Sequence, residues 1–140
     1  MKNTLVALLT VSSLVTAAAQ ERAPDVSPAI VQVVSGGYWE AGPQHGIYRA
    51  IVENQGFEHV SSRLWLEWVA EPDNAQAAHQ VVGRVEVAEI GRGSWSVHVE
   101  PTQPPFAQGT LRVAATQTHS LEERVFTIEL GSVGKYRVAP

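Results

Sequence analysis

The sequence predicts an all-β protein, a two-sheet antiparallel β-sandwich of about seven strands. Short segments rich in β-branched and aromatic residues recur along the chain, and turns rich in Gly and Pro separate them. Several segments alternate apolar and polar residues, as strands with one buried face do. Only Glu71–His79 has helical character, and it is too short for more than a single turn. This pattern is typical of two packed sheets.

The first 19 residues have the features of a cleaved signal peptide. Lys2 provides a short positive region, Leu5–Val15 is an apolar run, and Ala17–Ala19 supplies the small residues of a cleavage site. The apolar run is shorter than the roughly 20 residues that span a bilayer. Because the chain has no Cys, we expect neither a lipid anchor nor a disulfide. The prediction is a soluble periplasmic or secreted protein.

The rest of the chain divides into an extended leader, residues 20–28, and a single β-sandwich domain, residues 29–140. Without Lys2 it carries 9 basic and 14 acidic residues, a net charge of −5. Its arginines are dispersed and form no basic stripe. This charge pattern argues against binding to nucleic acid or to an anionic membrane surface.

Seven segments of the domain have strand character: Ala29–Val34, Ile47–Glu53, Ser62–Ala70, Gln80–Ile90, Ser94–Glu100, Thr110–Thr118 and Arg124–Leu130. The tail Lys135–Val138 is a candidate for a further edge strand. Ser35–Gly37 interrupts the first strand as a bulge does. Gly91–Gly93 is predicted to be a hairpin turn, and the proline-rich Pro101–Gly109 a crossing loop anchored by Phe106.

The four tryptophans fall into two groups. Alternation places Trp68 and Trp95 on the core faces of their strands. Trp65 lies on the opposite face from Trp68, where it is either covered by a loop or part of a contact surface. Trp39 and Tyr38 follow a glycine pair and form a second candidate contact surface, suited to stacking on a sugar or a peptide.

The turn Asn54-Gln55-Gly56 between two strands resembles the corresponding turn of bacterial immunoglobulin-like modules of the adhesion and CARDB types. The resemblance covers residues 47–70. It implies an immunoglobulin-like sandwich with Greek-key connections, in which a core tryptophan at the position of Trp68 is a recurrent feature. A closed barrel of the OB or lipocalin type is the alternative architecture.

The sequence argues against several enzyme classes. It has no Cys nucleophile, no G-x-S-x-G turn, no H-E-x-x-H helix and no glycine-rich loop leading into a helix. No carboxylate lies in an apolar stretch that would raise its pKa. We therefore expect no catalytic residues and no bound cofactor.

The histidines suggest an alternative function, the binding of a metal ion. The turns that carry Glu58, His59 and His119 meet at one end of an immunoglobulin-type sandwich. Imidazole and carboxylate ligands suit Zn²⁺ or Cu²⁺, so these three residues are a candidate metal site. The simpler interpretation, which we favour, is that these residues are ordinary polar loop tips in water.

These observations predict an exported, soluble, non-enzymatic binding or assembly module. Its expected partner is an envelope protein or a polysaccharide, contacted through an edge strand or through the loop ends. The alternative is a small periplasmic metal-binding protein that uses His59, His119 and nearby carboxylates.

Overall fold

The computed structural model describes residues 24–140 and shows two four-stranded antiparallel sheets. Sheet A contains β1 (Ile30–Ala41), β2 (Gln44–Gln55), β3 (Ser61–Ala70) and β4 (Gln80–Glu86). Sheet B contains β5 (Trp95–Val99), β6 (Thr110–Gln117), β7 (Glu123–Leu130) and β8 (Tyr136–Val138). A helical turn, α1 (Ala88–Gly91), joins the sheets, and a 3₁₀ turn (Ala107–Gly109) precedes β6. The predicted all-β, two-sheet sandwich is confirmed, with eight strands because the tail forms β8.

Only part of the predicted N-terminal region belongs to the described residues. The signal peptide, residues 1–19, lies outside the described residues, as does the start of the leader. The described part of the leader, residues 24–27, is exposed and without regular structure. Within residues 24–140, no helix is long and apolar enough to cross a membrane.

Strand order in both sheets follows the sequence, β1-β2-β3-β4 and β5-β6-β7-β8. The expectation of Greek-key connections is therefore wrong. Within each sheet, consecutive strands pair with each other, so the chain changes sheet only once, between β4 and β5. Across the described residues no ladder joins β4 to β5 or β1 to β8, so the sheets do not close into the alternative barrel.

The change of sheet occurs where a hairpin was predicted, and that prediction is wrong. β4 ends at Glu86, and the Val87 N–H donates to the Leu64 carbonyl oxygen at 2.8 Å. The chain then turns through α1, whose Ile90 is fully buried. Burial of Ile90 between the sheets favours the helical turn over an extended strand, which would carry the chain past the core.

The predicted bulge in β1 is present, since the register with β2 shifts between Gly36 and Trp39. Gly37 has φ +65°, and a Cβ at this position would lie 2.7 Å from the Cβ of Phe106. Phe106 is 1% exposed, in agreement with its predicted role as the anchor of the crossing loop.

Both sheets contribute to one apolar core. Trp68 is fully buried and Trp95 is 8% exposed, as predicted. The Trp95 and Phe126 rings meet edge to face, with centroids 5.4 Å apart. The core thus leaves the loops at the two ends and the outer sheet faces available for contacts.

Candidate functional site

Three loops meet at one end of the sandwich, which we call the loop end: residues 56–60 between β2 and β3, residues 92–94 before β5, and residues 118–122 between β6 and β7. The Thr118 hydroxyl lies 2.9 Å from the Val60 carbonyl oxygen and 2.6 Å from the Ser94 carbonyl oxygen. The Thr118 N–H also donates to Ser94 at 2.9 Å. Thr118 therefore ties the three loops together. These loops meet at one end of the sandwich as expected, although the strand order is not the expected one.

The loop end brings two of the predicted metal ligands into contact. The rings of His59 and His119 have centroids 5.1 Å apart, with 50° between their planes. Glu58 is exposed on the same loop as His59. In the part of the chain that the structure describes, no group of three or more His, Cys, Asp and Glu side chains could hold a metal ion. The site thus offers two adjacent imidazoles.

Two large apolar side chains project into solvent beside these imidazoles. Phe57 is 94% exposed and Leu121 is 72% exposed. Each is two residues from a histidine of the pair. Neither residue was predicted from the sequence, although each is an isolated apolar residue inside a polar turn.

Local backbone geometry and hydrogen bonds define the two loops. In the second, the Gln117 side-chain oxygen accepts the N–H groups of His119 and Ser120, each at 2.7 Å. Leu121 has φ +59°, a left-handed conformation that is strained for a branched apolar residue. In the first, Gly56 has φ +88°, and a Cβ there would lie 2.6 Å from the His59 carbonyl oxygen. The backbone of each loop therefore directs its apolar side chain into solvent.

Trp65 lies on the outer face of sheet A, as the alternation predicts, and is half-buried by neighbouring side chains. Its indole N–H donates to Glu53 at 2.8 Å. The Arg63 guanidinium lies 4.6 Å from the ring centroid and donates two hydrogen bonds to Glu86, at 2.9 and 2.7 Å. These bonds hold the pKa of Glu86 below its usual value. One face of the indole is therefore already occupied by a cation.

A second charged group lies on the same face. Glu67 is fully buried between two arginines, with Arg49 Nε at 2.5 Å from one carboxylate oxygen and Arg84 Nε at 2.7 Å from the other. The three residues are directly opposite one another on β2, β3 and β4. This arrangement satisfies a buried carboxylate by charge-assisted bonds on both sides.

The prediction that Trp39 belongs to an outer contact surface is wrong. Trp39 is 4% exposed, and its indole N–H donates to the Ile47 carbonyl oxygen at 3.0 Å. The bulge at Gly36–Gly37 shifts the alternation of β1, so Trp39 turns inward. Its neighbour Tyr38 remains 58% exposed, with its ring 6.1 Å from that of His45.

The loop end is thus the part of the surface where exposed apolar side chains, a histidine pair and a strained backbone coincide. Comparison with protein-family models, with curated proteins and with solved structures finds no match for this chain.

Proposed function

We propose that this protein is an exported, non-enzymatic binding module that contacts a protein of the cell envelope through its loop end. The observation that carries the proposal is the exposure of Phe57 and Leu121 on two loops that are tied together. Large apolar side chains at loop tips act as anchors when a partner's pocket buries them. The signal-peptide features of residues 1–19 support the placement in the envelope.

Preorganisation favours a protein partner over a polysaccharide. Thr118 ties the two loops together, so less backbone entropy is lost when a partner buries the two anchors. Leu121 is aliphatic and offers no flat ring for stacking on a sugar. A pocketed protein surface therefore suits this pair of side chains better than a carbohydrate chain does.

Affinity capture from an envelope extract tests the proposal. The mature chain is the bait, beside the variants Phe57→Ser and Leu121→Gly. The control is Val125→Ser, which changes an exposed apolar residue on the outer face of sheet B, away from the loop end. We expect one captured protein that both loop-end variants lose by at least tenfold and the control retains. Equal capture by all four baits, or capture of polysaccharide alone, contradicts the proposal.

The contact between His59 and His119 favours a second candidate function, the binding of Zn²⁺ or Cu²⁺. A metal that binds only the folded chain raises the melting temperature, by an amount that grows with the logarithm of the ratio of metal concentration to dissociation constant. We expect under this alternative a rise that His59→Ala abolishes and His98→Ala preserves, because His98 lies on a strand of sheet B. An unchanged melting temperature in excess metal rules it out.

A further inference from the structure

A groove of about 460 Å³ lies at the other end of the sandwich, between β1 and the crossing loop before β6. Its larger lining residues are Tyr38, Tyr48, Pro104, Pro105, Phe106, Gln108 and Leu130, with glycines and an alanine between them. Every side chain that lines it is uncharged. A groove of this volume is large enough for a small ligand. Its uncharged lining favours a neutral ligand over a charged one.

Tyr48 forms the floor of this groove. The residue is 5% exposed, and its ring packs against Phe106 and Trp68, at centroid distances of 5.5 and 6.0 Å. Within residues 24–140, every fully buried side-chain nitrogen and oxygen has a hydrogen-bond partner. The Tyr48 hydroxyl has no partner among these residues, so it is not fully buried, and Tyr48 lines the groove. The hydroxyl therefore opens into the groove with its hydrogen-bonding capacity unused. Burial raises the pKa of Tyr48, so the phenol stays protonated and can donate.

The wall of the groove is a strained piece of backbone. Phe106 has φ +57° and Gln108 has φ +55°, conformations that residues with a Cβ rarely adopt. They face the bulge of β1, where Gly37 also has a positive φ. Strain of this kind persists where the surrounding structure maintains it, and it is common at ligand sites.

The polar groups of the groove decide between ligand classes. Pro104 and Pro105 offer no N–H, and the Tyr38 hydroxyl already donates to Glu40 at 3.4 Å. The side-chain donors left for a ligand are the Tyr48 hydroxyl and the Gln108 amide. A sugar carries several hydroxyls, and this groove offers side-chain hydrogen-bond partners for only a few of them. A polyproline II segment presents apolar rings and carbonyl oxygens and needs few donors.

We propose that the groove binds a short, uncharged, proline-containing segment of a partner protein in the polyproline II conformation. The proline rings of the segment pack on Tyr38, and the Tyr48 hydroxyl donates to one of its backbone carbonyl oxygens. Aromatic-lined grooves recognise such segments in this way because the segment is already extended and loses little entropy on binding. The proposal does not depend on the loop end, which lies at the opposite end of the strands.

An NMR titration of the ¹⁵N-labelled mature chain with a blocked octaproline peptide tests this proposal. The amide signals of Gly37, Gln108 and Gly109 report on the groove, and those of His59 and His119 on the loop end. We expect shifts in the first group only, at peptide concentrations up to about 5 mM, since a dissociation constant near 1 mM corresponds to a weak single contact. A Gly-Ser octapeptide and a neutral trisaccharide serve as the other probes.

Three variants make the test specific. Tyr48→Phe removes only the hydroxyl and is expected to weaken binding roughly five- to tenfold, the effect of one hydrogen bond. Tyr38→Ser removes the exposed ring and is expected to abolish measurable shifts. Tyr136→Phe makes the same chemical change at a tyrosine whose hydroxyl bonds Ala88 and Glu89, and binding is expected to be unchanged.

Each possible outcome either supports or overturns the proposal. Octaproline shifts that depend on Tyr38 and Tyr48 support the proposal. It is overturned by the absence of shifts at the groove, by shifts that both groove variants retain, by an equal response to the Gly-Ser peptide, or by a response to the trisaccharide alone.

Discussion

The side-chain amide of Gln32 hydrogen-bonds both backbone groups of Val99. Its Nε2 donates to the Val99 carbonyl oxygen at 3.1 Å, and its Oε1 accepts the Val99 N–H at 2.7 Å. Two residues earlier, the Val97 N–H donates to the Ser62 hydroxyl at 3.0 Å. Side chains of sheet A thus satisfy the free edge of β5 in sheet B, where a neighbouring strand is missing. This protects an edge that could otherwise pair with another chain.

We expect Gln32→Ala to destabilise the fold by about 1–3 kcal/mol, because it leaves the N–H and the carbonyl of a buried residue without partners. Urea unfolding followed by tryptophan fluorescence measures the change. The control is Gln80→Ala, which alters an exposed glutamine at the start of β4 and should change stability by less than about 0.5 kcal/mol. Equal losses in the two variants would show that the contact with Val99 contributes nothing.

Leu121→Gly is expected to leave the free energy of unfolding unchanged or to raise it by up to about 1 kcal/mol. Glycine relieves the left-handed strain at φ +59°, while the exposed leucine gives up little burial. Val125→Gly, at an exposed valine inside β7, should instead lose stability because its backbone is extended. If the proposed function is correct, Leu121→Gly loses partner binding without losing stability, which distinguishes a contact residue from a structural one. A loss of more than about 1 kcal/mol in Leu121→Gly would contradict this account.

The three-residue row of Arg49, Glu67 and Arg84 is expected to behave cooperatively. Either Arg→Ala substitution leaves Glu67 one partner, so each should cost about 1–2 kcal/mol. The double substitution leaves a buried carboxylate with no cation, and its cost should exceed the sum of the single costs by at least about 1 kcal/mol. Chemical unfolding of the four proteins in this double-mutant cycle measures the excess. Simple additivity would mean that water reaches Glu67 as soon as one arginine is removed.

The pair of Arg63 and Glu86 is expected to make a small part of the stability pH-dependent. The hydrogen bonds from Arg63 lower the pKa of Glu86 in the folded state. The pair therefore stabilises the fold above the unfolded-state pKa of Glu86, and this contribution is lost as the pH falls through the folded-state value. Glu86→Gln should be less stable than the parent by at most about 1 kcal/mol near neutral pH, since the pair is partly exposed.

Unfolding of parent and Glu86→Gln between about pH 7 and about pH 2 tests this expectation, and the difference should shrink toward the acid end. Glu58→Gln is the control, because Glu58 is an exposed loop residue. If the difference in the free energy of unfolding between the parent and Glu86→Gln instead grows as the pH falls, the ion pair is not its cause.

Much of sheet A followed from local pattern. The alternation of β3 correctly placed Leu64, Leu66 and Trp68 in the core and Trp65 outside, because successive side chains of a strand point to opposite faces. Trp39 was instead predicted to be an outer residue, and it turns inward because a bulge adds a residue to β1 and reverses the facing. Sequence indicated the bulge but not its consequence for the next side chain.

The sequence by itself determined the fold class and most of the strands, since both arise from the period of apolar residues and from turn chemistry. It also predicted that His59 and His119 belong to loops at one end. Only the tertiary structure decided the order of the strands, the helical turn at Ile90 and the groove above Tyr48. These depend on contacts between residues far apart in the chain, and a local pattern specifies which face of a strand is buried without specifying what covers it.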